Sequence, residues 1–511
     1  MRAELERSKS QLKLETVRAP YYIEYRVNDT DDFSAEAAFG ALRTRARSHF
    51  RFVRVVVRIG DYKQDSFFGQ GQGVVQPLPV DDEIVALRHQ LWLATDQAYK
   101  AAAEALTAKQ AQLKQYTLDE PADDFARTEP LEWLRPSVTL DSDSETWTNR
   151  LEGASAAYRT DAQLESFAAA LHFQALTRYF MNSEGTVMRD GQRLYDMQIS
   201  ASTQASDGMR LDRSWIYAAA DTKALPTEKE LLNRAANMVK TLGQLRDAPE
   251  VEEDYRGPVL FSGNASASIV ADLIAPNLLG VKPDLGQPGR TKGAWATSYK
   301  SRVLPAFLSV VDDPTLTALA NEPLLGHYEV DDEGVKSARV ELVAEGKLVN
   351  YLTGRQPIRD FPQSNGHGRA RGPAYPTASL GNLFVRSSEP LANDELKKRF
   401  VELCKQRELP YCYSVEALGP RLAPRLLYRV WVKDGHEELV RGAVFGDLDV
   451  RALRNDLIAL GNDLNVDNRP QFVPHSIVSP SMLFDELEIK RANVSKDKLP
   501  EYPPPALKAA N

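Results

Sequence analysis

The chain has 511 residues, 43% of them hydrophobic and 26% charged, which is enough for two or three domains of ordinary size. Its 63 Lys and Arg against 71 Asp and Glu leave a formal charge of −8, which excludes the broad cationic field of a non-specific nucleic-acid binder. No stretch approaches the about 18 consecutive apolar residues of a membrane-spanning helix. Cys404 and Cys412 are the only cysteines, so there is no disulfide framework; one bridge between them, or two buried small residues, are both open.

The opening stretch, MRAELERSKSQLKLE, is charged and helical in pattern and lacks the apolar run of a secretion signal. The expected compartment is therefore the cytoplasm, with the cell envelope or periplasm as the alternative if a leader precedes Met1. Residues 21–28 and 51–62 alternate polar and apolar side chains, as strands with one buried face do. From Asp81 to Tyr116 the pattern is a long helix, acidic at its start and ending in lysines. Residues 117–135 are acidic, contain Pro121 and Pro130, and are expected to be a connector. Three strand-like runs, 167–180, 186–201 and 209–219, are separated by turn residues and predict an antiparallel meander.

Thr227 and Glu230 stand at capping-box spacing and open a new helix after Pro226. Residues 257–262 form a short buried-type strand, and Asn264 is the expected cap of a helix over 265–275 that Pro276 stops. The remainder is mostly strand: 303–311, 326–330, 337–343, 348–353, 380–386, 425–433, 438–445 and 476–490. The predicted class is α+β, an N-terminal half with a long helix followed by a large, curved, mainly antiparallel β region. The expected domains are 1–225 (with a split near 117–135), 226–498, and a mobile Pro-rich tail over 499–511.

No two of the seven histidines fall at the spacing that aims two imidazoles from one helix face at zinc, and His436-Glu437 lacks the second His a zincin motif needs. Asp312-Asp313 and Asp331-Asp332-Glu333 could bind a hard cation or share a proton. Each follows a strand and precedes Pro314 or Gly334, so both are read as turns. The segment 364–372, SNGHGRARG, is the most unusual. Its glycines permit close backbone approach, and Arg369 and Arg371 can grip a carboxylate in parallel hydrogen bonds. Asn365, His367, Arg369 and Arg371 are the candidate peptide- or partner-binding residues, on a loop expected to be exposed.

Several segments in a fixed order resemble the TldD/PmbA family, metallopeptidases and relatives also described as modulators of DNA gyrase. They are NSEGT (182–186), GPVLFSGNASAS (257–268), VVDDPT (310–315), GHYEVDDEGVKSARVELVAEGKLVNYLTGR (326–355), SNGHGRARG (364–372), NLFV (382–385), and two runs over 439–464 and 473–489. The resemblance implies a zinc site in TldD-type members: an HExxxH motif on the helix after the GPVLF-like strand, and a Cys near the C-terminus. Placed at Ala271–Pro276, that helix carries neither His nor Glu here, and no Cys stands between Leu464 and Val473. In this departure the chain is similar to the zinc-less PmbA (TldE-type) subunit. The resemblance thus implies no metal, no cofactor and no catalytic residue of its own. It implies a non-catalytic, peptide-binding subunit of a proteolytic complex, paired with a zinc-bearing TldD-like homologue or with itself as a dimer. Alternative readings are a peptidase or hydrolase with a different site, for which His367, His327, Asp331 and Glu333 are the polar candidates, and a homodimeric ligand-binding protein.

Overall fold

The computed structural model describes residues 1–13, 17–116, 122–140, 143–158, 161 and 163–498. Pro121 and the Pro-rich tail lie outside the described residues. The fold is α+β, and its first element is a seven-stranded sheet. Strands β1 (Tyr22–Ala38), β2 (Ala41–Arg58), β3 (Val74–Leu78), β4 (Glu132–Leu134), β5 (Leu164–Asn182), β6 (Val187–Gln204) and β7 (Arg210–Ala219) build it in the order β3-β2-β1-β5-β6-β4, with β7 also beside β6. β5, β6 and β7 are the expected antiparallel meander. β1 and β2 make a far longer hairpin than residues 21–28 and 51–62 announced. Its distal half is polar and partly exposed, so it lacks the alternation that betrays a strand. The hairpin closes through Phe39 and Gly40, both at positive φ (49° and 82°), the twist a tight two-residue turn requires.

All helices of this half lie on one face of the sheet. Helices α1 (Arg2–Gln11) and α2 (Ile84–Leu113) cover Ile23, Tyr25, Val27, Val53, Val55 and Val57. Helices α3 (Ser144–Ala156) and α4 (Glu228–Asp247) cover the Phe33–Ala37 end. The Thr227–Glu230 capping box is present. α4, placed by the sequence at the start of the second domain, puts Leu231, Ala235, Met238 and Leu242 into the core of the first sheet.

The second half divides most of its strands between two sheets, with two further two-stranded ribbons, Ala318–Leu319 with Glu322–Pro323 and Gly368–Arg369 with Thr377–Ala378. One, of six strands, includes β9 (Leu308–Asp312), Asn382–Ser387, His475–Ser479 and Asn465–Arg469; the other, of seven, includes β8 (Tyr255–Phe261), Tyr411–Leu418, Pro424–Trp431 and Met482–Arg491. Most pairings are antiparallel, and each sheet has one parallel pair at its centre. One apolar core, from Val251 to Ile489, fills the space around both. The expected strand at 326–330 is absent, because that stretch gives its hydrogen bonds to turns. Helix α6 (Asn393–Gln406) ends beside Tyr411–Leu418, and Cys404 and Cys412 are joined there by a disulfide.

Candidate functional site

The helix after β8 is capped by Ser262, whose hydroxyl accepts from Ala265 N; Asn264, the expected cap, lies inside the first turn. α5 (Gly263–Ile269) runs into a π-helical turn, Val270–Ile274, and then a 3-10 turn that contains Pro276 instead of stopping before it. Small residues let α5 lie close to its neighbours. A side chain at Gly263 would collide with Asn465, and the Ser266 hydroxyl donates to Pro480 O at 2.6 Å.

α5 thereby forms one wall of a cleft of about 560 Å³. Asn264 and Ser268 face Asp467–Gln471 across it, with Trp215 and Ile216 of β7 and Met238 of α4 as further walls. Four arginines, Arg213, Arg234, Arg425 and Arg469, stand against two acids, Asp212 and Asp467. Arg425 pairs with Asp212 (2.8 Å) and Arg469 with Asp467 (2.7 Å), while Arg213 Nε finds no acceptor. Burial lowers Arg213 below the ordinary guanidinium range. The cleft is thus cationic, with aromatic and apolar walls.

By the resemblance this is also where zinc ligands would converge, and the donors do not fit. From Ser262 to Ile274 the one residue of ligand type is Asp272, and both cysteines are spent in the disulfide. Among the described residues no three His, Cys, Asp or Glu side chains come together as a metal cage. The helix in question opens at Gly263, upstream of the Ala271–Pro276 placement, and neither stretch holds a histidine.

A second cleft, of about 820 Å³, lies on the other side of Pro470 and Gln471, which border both. Its floor is the face of the first sheet opposite the helices, where Thr30, Arg54, His172 and Gln174 point toward the second half of the chain. Hydrogen bonds to Asp196 and Asp32 push His172 up to about 10. Arg371, Gly372, Pro373, Ala374 and Phe472 form the opposite wall. Phe472 is 73% exposed, and Arg371 sits over its ring at 4.7 Å.

The candidate residues of the 364–372 loop divide. Arg371 is exposed, as expected. Gly366 to Arg369 are buried, which corrects the reading of this segment as an exposed loop. His367 is fully enclosed, with Nε2 3.2 Å from Asp312 Oδ1 and Nδ1 3.0 Å from Asn365 Oδ1. Asn365 itself ties the loop down, accepting from Thr353 N and donating to Tyr351 O. Arg369 lies over the Tyr328 ring at 4.0 Å, 3.5 Å from Asp332. His327 Nδ1 lies 2.9 Å from Pro314 O, away from Asp331 and Glu333.

The Asp331–Glu333 segment is a turn, closed by Gly334 N to Asp331 O, and it is buried in the seam between the two halves. Asp331 accepts from Glu333 N, Val335 N and Gly368 N. Glu333 accepts from Arg355 N at 2.6 Å, and a side chain on Gly354 or Gly368 would strike it. Arg355 donates through Nε and Nη2 to Ala126 O, pairs with Glu184, and stacks on Phe125 at 4.0 Å. Asn182 accepts from Glu184 N and Thr186 N and so shapes the turn that presents Glu184. Segments NSEGT, DDEG, YLTGR and GHGRARG, dispersed along the sequence, therefore meet in one seam. Burial, then the neighbouring Asp331, pushes Glu333 up to about 8, and burial pushes Asp331 up to about 6. Burial alone would raise Asp332 as well, but Arg178, Arg369 and Arg26 hold it below the ordinary carboxylate range.

Residues 254–491 match a family model described as the PmbA/TldA metallopeptidase C-terminal domain. A metalloprotease of Archaeoglobus fulgidus is 26% identical over 205 residues, 37% of this chain and 44% of that protein. Metalloprotease MJ0996 of Methanocaldococcus jannaschii is 24% identical over 243 residues, 45% and 48% respectively. The chain thus spans less than half the length of either curated relative. The crystal structure of TldE from Thermococcus kodakarensis superposes with TM-score 0.60 at 14% identity, covering 92% of this chain and 96% of that one. A candidate modulator of a DNA gyrase from Thermotoga maritima superposes with TM-score 0.59 at 15% identity, covering 96% and 100%. At those identities the two structures share the fold alone. The sheet-rich second half, its family match and these relatives define a metallopeptidase-type fold. Residues 254–491 carry the C-terminal domain of the PmbA/TldD type, within a chain whose fold is that of the TldE-like structures.

Proposed function

We propose that this chain is a non-catalytic, peptide-binding subunit of a peptide-processing complex, working beside a zinc-bearing TldD-like homologue. The observation that carries this reading is the first cleft. Where family members with a zinc site need His, Glu and Cys, this cleft presents Asn264, Ser268 and a set of arginines between aromatic walls. Without three ligands there is no centre to acidify a water, whereas guanidiniums beside Trp215 suit carboxylate and peptide groups of an extended chain. A TldE fold neighbour supports pairing with a TldD-type partner.

The test is direct. The purified chain is dialysed against zinc, analysed for metal, and assayed on unfolded polypeptide with and without a HExxxH-bearing homologue. Expected are well under one zinc per chain, no cleavage alone, peptide binding by fluorescence anisotropy, and capture of the homologue. One zinc per chain with chelator-sensitive cleavage by the chain alone overturns the reading.

A further inference from the structure

The four arginines of the first cleft are not equivalent. Arg425 and Arg469 spend their charge on Asp212 and Asp467, the two acids of the lining. Arg213 of β7 and Arg234 of α4 have no such partner: among the described residues neither makes a hydrogen bond or an ion pair. Glu416 lies near Arg213 but is engaged by the Tyr428 hydroxyl. Glu230, one turn before Arg234, is held by Thr227 in the helix cap. Two guanidiniums without a carboxylate of their own therefore line this cleft, in a chain whose formal charge is −8. Such a local reversal of sign draws anions to one place on an otherwise acidic molecule.

Both can be reached from the cleft. Arg234 is exposed and lies over the Trp215 ring at 5.6 Å. Arg213 is half-buried, and of its three nitrogens only Nε is shut in; Nη1 and Nη2 are open and unbonded. Those two terminal nitrogens are a pair that can meet both oxygens of one carboxylate in parallel hydrogen bonds. Arg213 and Trp215, two residues apart on β7, project from the same face of the strand. Trp215 thus has one free guanidinium beside it on its own strand and another above its ring, with Ile216 and Met238 adding apolar surface to the cleft. Partial desolvation makes a charge pair formed here stronger than one on open surface.

We infer that the first cleft selects acidic peptide segments: Arg213 and Arg234 take carboxylates of the ligand, and Trp215 packs against an apolar side chain next to them. This rests on the peptide-binding reading above and narrows it to a substrate class. An Asp or Glu side chain and a free C-terminus offer the same carboxylate, and the experiment separates the two sources.

The experiment is a fluorescence-anisotropy titration of the full chain with labelled, C-terminally amidated decapeptides. They differ only at the two positions flanking a central Leu, which are both Glu, both Gln or both Lys; a fourth probe is the Gln peptide as free acid. The Glu peptide is expected to bind at least about tenfold more tightly than the Gln peptide, and the Lys peptide most weakly. Arg234→Gln, at an exposed position where folding is not at stake, should cut that advantage to about threefold. Arg213→Lys, which keeps the charge but not the paired nitrogens, should lose part of it. Arg213→Gln and Arg234→Gln together should bring the Glu and Gln peptides within about twofold of each other. Arg399→Gln, an exposed arginine of α6 that lines neither cleft, should leave the full advantage in place.

Equal binding of the Glu and Gln peptides overturns the inference and leaves the peptide-binding reading standing. So does an advantage that Arg399→Gln reduces as much as Arg234→Gln does, because the effect would then belong to the net charge and not to the cleft. If the free-acid Gln peptide binds as tightly as the Glu peptide and Arg213→Lys weakens it, the site stands with the chain terminus as its carboxylate. Failure of every peptide to bind at millimolar concentration overturns both the inference and the reading on which it rests.

Discussion

Arg355 and Arg26 are buried alike, 0% and 2% exposed, on the same seam between the first sheet and the second half of the chain. Around Arg355 the guanidinium nitrogens find oxygens in Ala126, Glu184 and Tyr22, and two aromatic rings flank its plane. Around Arg26 a single carbonyl, Ala374, is supplied and two nitrogens are left over. The chain thus treats two equally hidden charges in opposite ways. A charge whose partners are all internal holds the two halves together. A charge with fewer acceptors, beside Ala374 and Asp332, carries more of the cost of its own burial. Burial and charge alone do not separate these cases; the count of acceptors does.

Breaking the completed end should cost most. Arg355→Met leaves the Ala126 carbonyl without a donor and Glu184 without its paired cation, and should destabilise the chain by about 3–5 kcal/mol in urea unfolding. A loss below about 1 kcal/mol would mean that the seam is held elsewhere. Next comes the acid that faces it. Glu333 is raised from the ordinary glutamate value to about 8, so between about pH 5 and 8 the folded state holds a proton that the unfolded state has released. Stability should therefore fall as pH rises through that window and level off above it. Glu333→Gln, which cannot ionise, should flatten the slope by on the order of 3 kcal/mol, read from melting temperatures at pH 5 and pH 9.

The disulfide offers a control far from the seam. Replacing Cys404 and Cys412 by Ala should cost about 2 kcal/mol, from the short loop the bridge closes, and leave the pH slope unchanged. A changed slope would couple the disulfide to the seam. The smallest effects should come from the open cleft. Arg425→Ala and Arg469→Ala each remove a partly exposed ion pair and should alter stability by less than about 0.5 kcal/mol. If peptide binds there, each should nonetheless weaken its affinity, by up to about tenfold in anisotropy titrations.

The elements whose signal is local were legible in the sequence. The long helix, the Thr227–Glu230 cap and the meander β5–β7 depend on periodicity and turn chemistry within a few residues. The seam depends on residues far apart in the chain. Nothing near Asp332 indicates that Arg178, 154 residues away, will neutralise it, or that Arg355 will cap Glu333. A turn of three acids therefore looked solvated and is buried. The same holds for His367, where polar composition suggested a loop and the opposing Asp312 makes it interior. The available signal was the set of family-like segments itself, four of which converge at the seam. The arginines of the first cleft had no comparable mark, since they come from β7, α4 and the strands near 425 and 469.

The outer half of the first hairpin has a consequence for how copies of this chain meet. Among the described residues β3 pairs with β2 only from Arg51 to Val55, so the flank of Ala41–Phe50 is an unpaired sheet edge about ten residues long. Such an edge invites another strand and, with it, runaway association. Here it carries Arg43, Arg45 and Arg47, two of them tethered to Glu36 and Asp31 on the neighbouring strand. Two identical edges brought together would oppose like charges along their length. The hairpin can therefore project an open strand into solvent while discouraging fibre-like stacking with its own kind.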